Sequence, residues 1–172
     1  MARYPVVYAG QRVTGTLLQA TLPDVAYKAT TESVAASTTL QDDNDLMVAV
    51  DINATYAVEL ILFYDADATV AGDIKIGWTA PTGAAMNWAS HGAAATVTSS
   101  TAAGSFNIQT RLVNEAVSFG GGDSVGTLAL VYGVLTTSTT AGVLQLQWAQ
   151  DTSNAVPTNV RAGSRLTLRR IA

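Results

Sequence analysis

The 172-residue sequence has no cysteine, a single histidine and two lysines, and only 13% of its residues are charged. The lack of cysteine excludes disulfides, thiolate metal ligands and thiol catalysis. A lone histidine, His91, excludes a histidine-rich metal site. The formal net charge of −4 argues against nucleic acid as a partner. Neither a signal-peptide pattern nor an apolar run of membrane-spanning length is found, so no membrane partner is expected.

The residues that are abundant favour a folded sheet protein. Hydrophobic residues make up 48% of the chain, and alanine, threonine and glycine are frequent. A chain of this length can bury roughly 70% of the surface that its unfolded form exposes. Low charge with high apolar content argues against disorder, and β-branched residues with many turn formers are typical of sheets.

Apolar residues alternate with a period of two along much of the sequence, which predicts strands. The clearest segment, 56–64, is apolar in both phases, so we expect a central strand covered on both faces. Leu60 and Leu130 are expected in the core. The other predicted strands are 74–78, 128–134, 144–148 and 166–170, with weaker candidates at 32–40, 46–51, 105–113 and 117–119.

Turn-forming residues separate these strands, among them the acidic run 42–45, and the small-residue stretch 83–104 is predicted as a long loop or two weak strands. The expected fold is therefore all-β, a jelly-roll-like β-sandwich of about eight strands. We divide the chain into an N-terminal arm, 1–31, and a sandwich domain, 32–172.

The N-terminal arm differs from the rest of the chain. An extended start is followed by apolar residues at helical spacing before Pro23, and such a short helix needs a surface to dock on. The arm residues proposed to contact a partner are Tyr4, Pro5, Tyr8, Arg12, Val13, Leu17 and Leu18.

Charge is unevenly distributed along the sequence. Ten of the thirteen acidic residues lie between Asp24 and Asp73, whereas the C-terminal strand carries Arg165, Arg169 and Arg170. The arginines either pair with acids of the same fold or orient the chain against an acidic partner surface. We include them in the candidate interface and leave both interpretations open.

Other candidate sites are weaker. Trp88 is the one tryptophan outside the predicted strands, so Trp88 and His91 form a candidate ligand loop. His91 could act as a general base only with an orienting partner, which no motif supplies. Asp65, Asp67 and Asp73 could approach a hard cation, although their spacing fits no EF-hand. No cofactor and no catalytic activity are expected.

Several segments resemble small virion proteins of tailed bacteriophages that infect actinobacteria. They are 4–14 with the following leucines, the central 53–60, and the C-terminal 141–154 and 160–166. The resemblance implies a non-enzymatic virion structural protein, usually a homotrimer, assembled in the host cytoplasm. The expected role is a capsid decoration protein held by its arm on the major capsid protein. The alternative is a minor tail or tail-tip protein, contacting tail proteins and binding a receptor or carbohydrate.

Overall fold

The computed structural model describes residues 5, 7–66, 73–97, 106–121 and 126–172. Within these ranges the chain forms one short helix and thirteen strands. In chain order they are α1 (Gly15–Gln19), β1 (Asp24–Tyr27), β2 (Glu32–Val34), β3 (Gln41–Val50), β4 (Thr55–Asp65), β5 (Ile74–Thr79), β6 (Ala85–Ala93), β7 (Phe106–Asn107), β8 (Thr110–Leu112), β9 (Val117–Phe119), β10 (Thr127–Thr136), β11 (Gly142–Gln150), β12 (Thr158–Val160) and β13 (Arg165–Arg170).

The strands form two antiparallel sheets. The small sheet has the order β3-β11-β5-β9, and the large sheet has the order β1-β13-β4-β10-β6-β7, with β8 also beside β6 and with β12 and β2 at one end. Eight of these strands, β3 to β6 followed by β8 to β11, can be counted from one to eight in chain order. The small sheet then contains the first, eighth, third and sixth strands as neighbours. The second, seventh, fourth and fifth are neighbours in the large sheet. This is the topology of a jelly roll, and the predicted fold class is confirmed.

The core lies between the two sheets and begins with β4, which is central as predicted. All its even-numbered side chains from Tyr56 to Tyr64 are buried, including Leu60. They join one core cluster with buried residues of the small sheet, namely Leu46, Ile74, Ile76, Leu144, Leu146 and Trp148. The expectation that β4 is covered on both faces is wrong for the single chain, because its odd-numbered residues are half-buried or, at Phe63, exposed.

The set of alternate β10 side chains that points into the core also differs from the prediction. Ala129, Val131 and Leu135 are buried, whereas Leu130 is half-buried on the outer face. Space on the inward face of β10 is limited at Gly133, where a methyl group would lie 2.8 Å from Met86 Cε. The same methyl group would lie 3.0 Å from Cβ of Trp88.

The acidic run predicted as a turn is a strand, and the stretch predicted as a long loop or two weak strands contains a regular one. The acidic run 42–45 lies inside β3, at a bulge against β11, where Asp43 Oδ1 accepts hydrogen bonds from the Asp45 and Leu46 amides. Most of the stretch 83–104 that the structure describes forms β6, which pairs with β10, so the strand alternative of the prediction holds there. Small residues are required there, since a methyl group added at Gly92 would meet Phe119 Cδ1 at 2.7 Å.

The N-terminal segment is less separate than the division at residue 31 implies. β1 pairs with β13 throughout its length and extends the large sheet. The part that lies outside the sheets ends at Leu22. We use the name arm below for the described residues 5 and 7–22.

Candidate functional site

The arm has exposed apolar side chains and no buried residue. Val7, Tyr8, Val13, Leu18 and Leu22 are all more than half exposed. The hydrogen bonds found among its described residues are local, including the N-cap of α1, in which Thr14 Oγ1 accepts from the Leu17 amide at 3.2 Å. The short helix is present as predicted, and nothing in its own sandwich buries it. Tyr4, another predicted contact, lies outside the described residues.

The outer face of the large sheet carries a second apolar surface. β10 runs between β4 and β6, and its outward side chains pair in register with outward residues of both strands. Tyr132, for example, is 53% exposed and lies opposite Glu59 and Ala89. We call this surface the outer face. Its apolar members on β4 and β10 are Ala57, Ile61, Phe63, Leu128, Leu130, Tyr132 and Val134.

A shallow groove of about 280 Å³ lies on the outer face beside the residue that follows the arm. Pro23, the residue after the arm, lines it together with Tyr132, Glu59, Thr167 and Arg169. The root of the arm therefore lies on the same side of the sheet as the exposed apolar residues.

The C-terminal arginines do not act as one cluster. Arg165 and Arg169 lie on the same face of β13, on either side of Thr167. Arg170 lies on the opposite face. Arg165 pairs with Glu59 at 3.3 Å, and Arg170 pairs with Asp51 at 2.9 Å. Part of the charge asymmetry is thus neutralised within the fold. Arg169 borders the groove, and no ion pair of Arg169 is found among the described residues.

Trp88 is not an exposed ligand-binding aromatic, and this prediction is corrected. It lies in β6 with 1% of its surface exposed, and its Nε1 donates to the Leu112 carbonyl at 2.8 Å. It packs edge-on against Trp78. His91 is exposed on the same strand, where its ring stacks on Phe106 at 4.8 Å between centroids. The two residues therefore point to opposite faces and cannot form one ligand loop.

The aspartates considered for a cation have other partners. Asp65 pairs with Arg161 at 3.0 Å, and Asp73 Oδ1 accepts from the Gly121 amide at 3.0 Å. Asp67 lies outside the described residues. Burial raises the pKa of Asp73 to about 6, although the Gly121 hydrogen bond opposes this shift. Across the described part of the chain, no group of three or more histidine, cysteine or acidic residues could hold a metal ion.

Two further buried polar groups were not found from the sequence. Tyr64 Oη donates to the Gly120 carbonyl at 2.7 Å, and burial raises the pKa of this phenol. The Lys28 ammonium is fully buried and contacts Glu32 and Asp43. Burial acts to lower the pKa of Lys28, but hydrogen bonds to these two acids and their charges outweigh it and leave the pKa raised. The only sequence signal for this site was a lone basic residue in an acidic segment.

Comparisons with known proteins do not assign the chain to a family. No protein-family model and no curated protein matches the chain. Two solved structures of infectious bursal disease virus align with 87% of it at 10% identity: the VP2 subviral particle, with a TM-score of 0.20, and the Gx strain, with a TM-score of 0.18. The chain spans about two-fifths of the length of these viral chains. Alignments at this level carry no argument about function. No helix in the described ranges is long and apolar enough to cross a membrane.

Proposed function

We propose that this chain is a non-enzymatic virion structural protein, a homotrimeric capsid decoration protein of a tailed bacteriophage, attached to the capsid by its N-terminal arm. The observation that carries the proposal is the arm itself: exposed apolar side chains and a capped helix that nothing in its own sandwich buries. An isolated five-residue helix is unstable in water, so it requires a partner surface. The jelly roll is a fold found in viral capsid proteins, although fold alone does not establish function.

The outer face supports assembly with further copies of the chain. In a strand with one solvent-exposed face, the larger apolar residues normally point inward. In β10, however, Leu128, Tyr132 and Val134 point outward and are exposed. Contiguous exposed apolar surface of this kind marks interaction sites. Arg169 on β13, beside these apolar residues, would contribute to the polar rim of such an interface.

Attachment by the arm is tested by sedimentation with empty phage heads. Leu18→Glu places a charge on an arm side chain that is 57% exposed. We expect this variant to fold normally and to lose binding to the heads, because the arm contributes nothing to the core. Val156→Glu, at an apolar residue of similar exposure outside the arm, serves as the matched control and should still bind. Equal binding by both variants would contradict the proposal.

Self-association is tested by the mass of the purified protein in solution. The proposal predicts a species of about three times 17.8 kDa. Tyr132→Lys on the outer face should dissociate it, whereas Met47→Lys, at an exposed residue of the small sheet, should not. A wild-type monomer, or a trimer that Tyr132→Lys leaves intact, would overturn the assigned interface.

The alternative, a tail-tip module that binds a receptor or carbohydrate, is weakened by the position of Trp88. The aromatic residue expected to stack on a sugar is buried in the core. Its substitution is therefore expected to destabilise the fold rather than to abolish adsorption alone.

A further inference from the structure

The strongest unexplained feature inside the molecule is the buried cluster around Lys28. The backbone of Lys28 is held by hydrogen bonds to the turn before β13, with Ser164 and Gly163. Its side chain is 1% exposed, and its Nζ lies 2.8 Å from Glu32 Oε2 and 2.9 Å from Asp43 Oδ2. The Asp43 side chain is fully buried. An amine, a carboxyl group and a second acid thus meet in a site from which water is largely excluded.

The surroundings of the Asp43 carboxyl group resemble a site for acyl transfer. Oδ1 accepts hydrogen bonds from two backbone amides, those of Asp45 at 3.0 Å and Leu46 at 2.8 Å. Oδ2 accepts from the indole Nε1 of Trp148 at 3.2 Å and from Lys28. Fixed donors of this kind stabilise negative charge that develops on a carboxyl oxygen during nucleophilic attack.

We propose that Lys28 and Asp43 condense within the folded chain to form an isopeptide bond, with Glu32 as the proton acceptor. Glu32 takes a proton from the Lys28 ammonium, and the free amine attacks Cγ of Asp43. A C–N bond forms while negative charge on Oδ1 is held by the two backbone amides. The C–Oδ2 bond then breaks. Two of the three ammonium protons leave with Oδ2 as water, and the third stays on the amide nitrogen.

The reaction balances without any other reactant. One ammonium and one carboxylate become one neutral amide and one water, and no oxidant or leaving group is needed. Burying two opposite charges costs desolvation energy, which a neutral amide avoids, so the dry interior favours condensation over hydrolysis. Because the pKa of Lys28 is raised, proton transfer to Glu32 is the demanding step.

The cross-link would fasten the root of the arm. Lys28 follows β1 directly, and Asp43 lies 15 residues further on in β3 of the other sheet. In a chain without cysteine, an amide is the covalent bond available to join these elements. A load applied through the arm would then be carried by a covalent bond as well as by the four residue pairs that join β1 to β13.

Intact-protein mass spectrometry of the purified, denatured chain tests the proposal. We expect a mass lower than the sequence mass by one water. We also expect trypsin to leave the bond after Lys28 uncut, so that residues 13–75 are recovered as one looped peptide. A succinimide at an aspartate loses the same water but leaves Lys28 open to trypsin, and that result would overturn the proposal. The full sequence mass in the folded protein would also overturn it.

Three variants test the assigned roles. Glu32→Gln should fold, as judged by circular dichroism, yet keep the full sequence mass, because the carboxylate that takes the ammonium proton from 2.8 Å is gone. Asp43→Ala should likewise show no cross-link. Asp45→Asn is the control: its carboxylate is 3.6 Å from Nζ and outside the reacting pair, so this variant should still lose one water. A cross-link that persists in Glu32→Gln would refute the role of Glu32.

Discussion

Asp73 should make the protein less stable as the pH rises from mildly acidic to mildly alkaline. This carboxyl group is buried at the start of β5, and burial raises its pKa from an ordinary value of 3.8 to about 6. The folded protein therefore binds the proton more tightly than the unfolded chain does. The contribution of Asp73 to the free energy of unfolding is greatest below pH 4 and is lost as the pH rises through about 6. Between pH 4.5 and pH 8 the loss is about 2 kcal/mol.

Urea unfolding at these two pH values, at one protein concentration, measures this loss. Asp73→Asn removes the titration but keeps an oxygen that can accept the Gly121 hydrogen bond. The difference in unfolding free energy between variant and wild type should therefore shift by about 2 kcal/mol in favour of the variant at pH 8. Asp24→Asn, at an exposed carboxyl group of β1, controls for the loss of one charge. A difference that is the same at both pH values would refute the reasoning.

Further predictions concern packing and assembly. Leu60→Ala should cost about 2–5 kcal/mol in urea unfolding, and Leu130→Ala should cost less because this side chain is half-buried; equal costs would contradict the assigned strand phase. Trp88→Ala should lower the free energy of unfolding by about 3–5 kcal/mol, and an unchanged free energy would contradict its burial. Gly133→Ala should cost about 1–3 kcal/mol, since the added methyl group lies 2.8 Å from a methionine methyl; an unchanged midpoint would contradict this contact. Arg169→Glu should weaken self-association without altering the unfolding midpoint, and unchanged sedimentation would count against Arg169 as an interface residue.

The strands that could be predicted from the sequence are those in which large apolar residues alternate with other residues. β4, β5, β11 and β13 were predicted within a few residues of their bounds, because large apolar residues recur at every second position. For β6 the sequence leaves a loop and a weak strand open, because the small residues of 83–104 are typical of turns. In the structure Gly92 of β6 lies against Phe119, so a larger side chain there would collide with it, a relation between distant parts of the chain that local composition does not show.

The candidate site was only partly predictable for a related reason. The arm could be identified because its pattern breaks from the rest of the chain. Periodicity showed that β4 is apolar in both phases, but it placed Leu130 of β10 in the core, and the structure puts the other phase inward. Which phase faces inward depends on what the opposite sheet contributes. The partners of Lys28 could not be identified either, because the contact with Asp43 depends on a bulge in β3.

Immunogold labelling of intact phage particles with an antibody to this chain tests the central claim most directly. The account predicts label distributed over the surface of the head, in keeping with a decoration protein attached through its arm. Label confined to the tail tip would replace decoration with the alternative tail role. Particles without label on either the head or the tail would contradict the assignment as a virion protein.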